Sequence, residues 1–353
     1  MTKNVPVIVH FVNQLTVGGC EEIIRVSEKY LPLEHISYCF AMSEDAMGDE
    51  LRKVGTNVII QPLKTNIDFC EQLQPDVIML HTAGYIPAEL NPLKEKCPKA
   101  KICLLIHSPQ TLTIVPDSID VVICVSEIVY DMQTSPKRLL IKNGIDIDEI
   151  KKIQVPDEVY KKYGLTGREL VIGRLSRIAP DKLTSDFIIA AQKISNKYDN
   201  IKFMIVGESK ENLHPGYLKD IKELVSQLGL KDKIIFTGVQ RDRGLYLSMM
   251  HILMNPSINE SFGCVFSEAM CAELPVVTYN YHGNKETVIN DFNGYCVEGR
   301  NIEELANKTI ELALDKEKRT LFGKNGRKFV EENCNGKTMA EKYAKLYTTL
   351  LRS

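Results

Sequence analysis

Short apolar runs rich in β-branched residues recur along this chain, and amphipathic stretches lie between several of them. In the first half the runs are VPVIVHFV (5–12), NVIIQPL (57–63), DVIMLH (76–81), KICLLIH (101–107), DVVICVS (120–126) and RLLIKNG (138–144). The stretch EEIIRVSEKYL carries helical periodicity. Alternation of this kind predicts βα units around a parallel sheet. A polar, turn-rich segment, PDEVYKKYGLTGRE (156–169), then interrupts the pattern. A second series follows: LVIGRLS (170–176), IKFMIVGE (201–208), KIIFTGV (233–239), HILMNPS (251–257) and LPVVTYN (274–280). Helical stretches at 184–198 and 217–230 separate its members, and the tail is helical in pattern. At about 100–200 residues per domain, 353 residues accommodate two domains. We expect an α/β chain of two doubly wound halves, 1–165 and 166–330, with 331–353 a C-terminal helix packing back toward the first. Ligands of open parallel sheets bind beyond the carboxyl ends of the strands, so the loops there are the place to search for a site.

Composition excludes several classes. A formal net charge of −2 provides no global basic field, so no nucleic-acid partner is expected. The ten cysteines contain no C-x-x-C pair, and several sit inside apolar runs, such as Cys103 in KICLLI and Cys124 in VVICV. Such cysteines behave as small buried hydrophobes in a reducing compartment. The N-terminal stretch has no signal-peptide pattern, and no run reaches the ~18 apolar residues of a membrane span. The expected location is cytoplasmic, with peripheral membrane contact left open.

Residues 255–298 carry the densest pattern. An apolar run ends at Pro256-Ser257, a polar turn leads to Glu260, and Phe262-Gly263 precede a helical stretch bearing Glu268. A helix start at Gly263 presents free N–H groups and the positive end of the helix dipole. Glycine lets the backbone approach a bulky anion, so the arrangement suits a pyrophosphate without a metal. Two carboxylates beside it can accept hydrogen bonds from sugar hydroxyls. A formal D-x-D, Asp146-Ile147-Asp148, competes as a metal motif. It follows the turn pair Asn143-Gly144 rather than a strand, so a junction turn is the favoured reading.

Glu260 and Glu268, within PS-x2-ESFG-x4-EAM-x4-PVV, resemble the signature of the family 4 retaining glycosyltransferases. IGRLSRIAPDK (172–182), FMIVGES, IIFTGV, VGGCEE (17–22), LLIHSPQ (104–110), ICVSE and IKNGIDIDEI resemble further elements of that family in order. The resemblance implies the GT-B fold, two Rossmann-like domains facing across a cleft. It implies that Glu268 binds the donor ribose and that Glu260 lies against the transferred sugar. Arg174 and Lys182 would neutralise the leaving diphosphate. Phe262, Gly263 and Cys264, with Gly18 and Gly19 of the first half, would supply backbone donors. Gly238 and Val239 would carry the nucleobase, and His107 would face the reacting centre. The departures are local. Seven residues separate Arg174 from Lys182, and Leu183 stands where a glycine is common. Cys20, Glu21 and Glu22 follow the glycine pair directly.

The chemistry implied is metal-independent transfer of a hexose from a UDP- or GDP-sugar, with retention, and with no cofactor beyond that donor. The acceptor is a glycan, a lipid or a small molecule. A sugar-nucleotide epimerase of the same fold and a catalytically degenerate sugar-nucleotide-binding subunit are the alternatives.

Overall fold

The computed structural model describes residues 5–16 and 18–352, and every ladder between its strands is parallel. Packing divides the chain into two units, Met1–Asp146 with Cys334–Ser353, and Ile147–Asn333.

The first unit holds β1 (Val7–Phe11), β2 (Ile36–Ala41), β3 (Asn57–Ile60), β4 (Val77–Thr82), β5 (Lys101–Ile106), β6 (Val121–Cys124) and β7 (Arg138–Leu140). They lie in the order β3-β2-β1-β4-β5-β6-β7. Burial on both faces explains the unbroken apolar runs: Ile78, Leu80, Ile102 and Leu104 on one face and Val77, Met79, Cys103 and Leu105 on the other are all buried. The final helix, Gly336–Leu350, belongs to this unit. Ile145 N–H donates to the Cys334 carbonyl at 2.9 Å and Gly336 N–H to the Ile145 carbonyl at 3.0 Å, which ties the returning chain to the end of the first unit. Tyr343 and Tyr347 of this helix are buried.

The second unit holds β8 (Leu170–Leu175), β9 (Ile201–Val206), β10 (Ile234–Gly238), β11 (Ile252–Met254), β12 (Val276–Tyr279) and β13 (Gly294–Val297), in the order β10-β9-β8-β11-β12-β13. Its core unites Ile172, Phe187, Phe203, Ile205, Met254 and Tyr279 with the helices 184–195 and 302–314.

The units part near 146–147, earlier than the 165–166 expected from the polar segment. Residues 147–169 pack on the second unit: Tyr163 and Tyr246 share a hydroxyl hydrogen bond of 2.7 Å, and Ile153 N–H donates to Ser248 Oγ at 3.0 Å. Two strands, β2 and β13, arise from ISYCFA and GYCV, runs too mixed or too short to stand out in the sequence. No helix among the described residues is long and apolar enough to cross a membrane.

Candidate functional site

Each sheet has one point where the strand order reverses. In the second unit β9 and β10 lie on one side of β8, and β11 returns to the other. Such a point opens a crevice at the strand carboxyl ends. Arg174 is the penultimate residue of β8, and the loop 255–263 follows β11.

Arg174 is fully buried. Its Nη2 donates to Ser176 Oγ and, at 3.0 Å, to the Lys182 carbonyl. Its Nε and Nη1 have no partner within the protein. Burial pulls its pKa down to about 10, although Tyr217, Glu260, Asp181 and Asp186 favour the charged form. A buried cation with unspent donors is costly unless an anion meets it.

Lys182 ends a short 3-10 turn, Pro180–Lys182. Its Nζ lies 2.7 Å from Glu260 Oε1 and donates to the Asn259 carbonyl at 3.2 Å. The longer Arg174–Lys182 spacing therefore still brings Lys182 to the glutamate loop, while its backbone carbonyl accepts from Arg174. Leu183 adopts the left-handed conformation, φ 46°, at the position where a glycine is common in the resembled motif.

The loop itself is pinned from behind. The buried Asn284 Nδ2 donates to the Ser257 carbonyl at 2.9 Å, the Tyr279 carbonyl at 2.8 Å and Thr278 Oγ1 at 3.2 Å. Thr287 Oγ1 donates to the Phe262 carbonyl at 3.0 Å, and Gly283 N–H to the Glu260 carbonyl at 3.0 Å. A Cβ at Gly283 would stand 2.2 Å from the Ser261 carbonyl oxygen, so only glycine permits this approach. Gly263 caps the helix Cys264–Cys271 with φ 73°, and a Cβ there would strike the Phe266 ring at 2.4 Å. Phe262 is buried and Cys264 half-buried, so what the loop offers at this helix start is mainly backbone.

Glu268 is buried in that helix and ion-paired with Arg243 Nη1, from the helix Arg243–Met249. Arg243 escaped the sequence reading because it lies 25 residues from its partner and belongs to no run or motif. Gly238 ends β10 at a register irregularity, and Val239 beyond it is about half exposed, at 49%. The second unit thus gathers Arg174, Lys182 and Glu260 at one crevice, with Glu268 on the helix that Gly263 starts.

In the first unit the reversal lies between β1 and β4. His107 directly follows β5, its N–H donating to the Thr82 carbonyl at 2.8 Å. It stacks on His81 of β4, ring centroids 5.1 Å apart, with Nε2 2.9 Å from His81 Nδ1. His81 Nε2 is 3.0 Å from His10 Nδ1, and His10 Nε2 is 3.0 Å from Glu28 Oε1. Burial pulls His107 down to about 4 and, with the neighbouring His107 and His10, holds His81 well below the usual imidazole range. Burial would raise Glu28, but hydrogen bonds from His10 and His35 outweigh it and bring it to about 2. His10 and Glu28 were invisible as site residues, since one lies mid-strand and the other mid-helix.

Gly18 and Gly19 open the helix that follows β1, and a Cβ at Gly18 would meet Glu21 Oε2 at 2.8 Å. Glu21 and Glu22 occupy the first turn, which works against an anion there. Asp146 is buried and accepts from Lys29 Nζ at 2.6 Å and Tyr30 Oη at 2.9 Å, so its carboxylate serves the packing of the first unit.

Comparison with known proteins adds three findings. Residues 157–329 match the family described as glycosyl transferases group 1. The GDP-mannose-dependent alpha-(1-6)-phosphatidylinositol monomannoside mannosyltransferase of Mycobacterium tuberculosis is 29% identical over 215 residues, 57% of this chain and 53% of that one. The N-acetyl-alpha-D-glucosaminyl L-malate synthase of Bacillus anthracis is 27% identical over 195 residues, 55% and 49% of the two chains. The chain spans about half the length of the curated relatives it matches. The crystal structure of Anabaena HepE in complex with UDP and glucose aligns with a TM-score of 0.83 at 18% identity, covering 97% of this chain and 99% of that one. With the two all-parallel sheets, that likeness establishes the GT-B fold.

Proposed function

Since this chain belongs, through residues 157–329, to the group 1 glycosyl transferases, we propose that it moves a hexose from a UDP- or GDP-sugar to a glycan, lipid or small-molecule acceptor, with retention and without a metal in the chemistry. The observation that carries this reading is Arg174. It is a fully buried guanidinium at the strand-order reversal of the second sheet, with Nε and Nη1 unpartnered in the protein. A diphosphate supplies the acceptors it lacks.

In this reading the bond from the anomeric carbon to the diphosphate oxygen breaks, and its electrons pass to the leaving group. Arg174 and Lys182 stabilise that charge, and the N–H groups at Phe262, Gly263 and Cys264 add donors. The acceptor oxygen attacks from the face the diphosphate leaves, and its proton passes to a departing phosphate oxygen. Glu260 holds the sugar hydroxyls. Glu268, fixed by Arg243, accepts from the ribose. The half-exposed Val239 and Gly238 form the base shelf. His107, neutral near pH 7, acts as an uncharged hydrogen-bonding group in the transfer. Ten thiols support a reducing, cytoplasmic setting.

A panel of sugar nucleotides tests this directly. One donor should raise the melting temperature, and the same donor should release nucleoside diphosphate faster when acceptor extract is added. Release with no acceptor dependence, or no shift with any donor, would overturn it.

A further inference from the structure

We propose that Cys20, His81 and His107 form a zinc site in the first unit, and that zinc bound there switches off the transfer by occupying His107. The switching half rests on the function proposed above; the binding half does not.

The three side chains converge from separate elements at the carboxyl end of one sheet. Cys20 comes from the first turn of the helix after β1, His81 from β4, and His107 from the residue after β5. Their ligating atoms all lie within 4.8 Å of one another, with Cys20 Sγ 3.6 Å from His81 Nδ1 and His81 Nδ1 2.9 Å from His107 Nε2. Tetrahedral zinc with ordinary bond lengths spaces nitrogen from sulfur by about 3.6 Å and two nitrogens by about 3.3 Å. Cys20 Sγ and His81 Nδ1 already match that spacing, and the two ring nitrogens need a few tenths of an ångström of opening. All three residues are half-buried, and in the proposed site a water completes the tetrahedron as fourth ligand. Imidazole and thiolate together favour zinc over magnesium or calcium.

The support behind the ligands is the second observation. A metal-bound histidine ordinarily donates its other N–H to a partner that fixes its ring. Here His81 Nε2 faces His10 Nδ1 at 3.0 Å, and His10 Nε2 faces Glu28 Oε1 at 3.0 Å. With Glu28 accepting from His10, and His10 Nδ1 accepting from His81 Nε2–H, the lone pair of His81 falls on Nδ1, toward Cys20 and His107. Binding releases the Cys20 thiol proton. The proton between His81 Nδ1 and His107 Nε2 moves through solvent to His107 Nδ1, so one proton leaves per zinc.

The test uses the full chain freed of metal by a chelator. Cobalt is added first as a spectroscopic stand-in, then zinc. One equivalent of cobalt should give a thiolate-to-metal absorption band in the near ultraviolet, and zinc should bleach it. Cys20→Ser, nearly isosteric, should lose the band. His81→Asn should lose zinc as well, and Glu28→Gln should weaken zinc about 10–100-fold while keeping the band. No band with excess cobalt, or an undiminished band in Cys20→Ser, overturns the site. In the kinetic arm, stoichiometric zinc should suppress the wild-type rate, a chelator should restore it, and the ratio of rates with and without zinc should approach one in Cys20→Ser. A cobalt band with a rate indifferent to or raised by zinc overturns the switch alone. Absence of any transfer without zinc overturns the proposed function while the spectrum still decides the site.

Discussion

Lys182 Nζ and Glu260 Oε1 stand 2.7 Å apart, joining the turn after β8 to the loop after β11 with both side chains largely shielded from water. In the proposed donor site a diphosphate would compete with Glu260 for this ammonium. Glu260→Gln removes the competitor and should leave UDP or GDP binding as tight as in the wild type or several-fold tighter, a gain on the order of 1 kcal/mol. Transfer should nonetheless fall by about two to three orders of magnitude, because the transferred sugar loses its carboxylate. Calorimetry paired with steady-state rates checks both halves; weaker nucleotide binding in the variant would count against the competition.

Arg174 sets function against stability. Its pKa, lowered to about 10 by burial, means that the folded state holds this proton less firmly than the unfolded chain does. The penalty is therefore fully present at neutral pH and shrinks only above about pH 10. Arg174→Met should leave the ligand-free protein as stable or more stable in urea, and should slow transfer by about two to three orders of magnitude. A stability loss beyond about 1 kcal/mol would mean that the protein itself, rather than an anion, satisfies the guanidinium.

The acid limb of stability should report on His107. Between pH 6.5 and about 4 the unfolded chain binds a proton that folded His107 refuses, so stability falls as pH falls through that window. His81 acts in the same direction. His35, where Glu28 outweighs burial and raises the pKa, adds stability that is already complete below pH 6.5 and is lost only as pH rises above it, so it leaves the slope in this window unchanged. His107→Gln should flatten the slope of urea midpoint against pH in this window, and an unchanged slope would show that its imidazole is not the shielded, half-buried base described.

Leu183 holds a left-handed backbone that favours glycine, yet its side chain is buried against the core of the second unit. The strain is worth about 1–2 kcal/mol. Deleting a buried leucine side chain costs about 2–5 kcal/mol. Burial wins, so Leu183→Gly should destabilise the protein by about 1–3 kcal/mol in chemical denaturation. A stabilised variant would show that the backbone strain dominates.

The placement of Glu260, Gly263 and Glu268 on one loop and helix was legible because a motif of fixed spacing holds them within nine positions. The strands were legible where both faces are buried, as in KICLLI, and not where the run is mixed, as in ISYCFA. What escaped is tertiary. Arg243 meets Glu268 across 25 residues, and Asn284 reaches back 27 to hold the Ser257 carbonyl. His10 joins a histidine chain only because β1 and β4 are neighbours in the sheet. The polar stretch 156–169 looked like the junction because it carries turn residues, whereas Tyr163 and Tyr246 commit it to the second unit.

The most direct test of a donor site in the second unit is calorimetric titration of UDP and GDP into the wild type and into Glu268→Ala, with Arg243→Ala as the control for loss of the ion pair. The wild type should bind one of the two at a single site, and Glu268→Ala should bind it about tenfold more weakly or worse, at least about 1.4 kcal/mol. Equal affinity in the wild type and Glu268→Ala, or no binding of either nucleotide to the wild type, would contradict it.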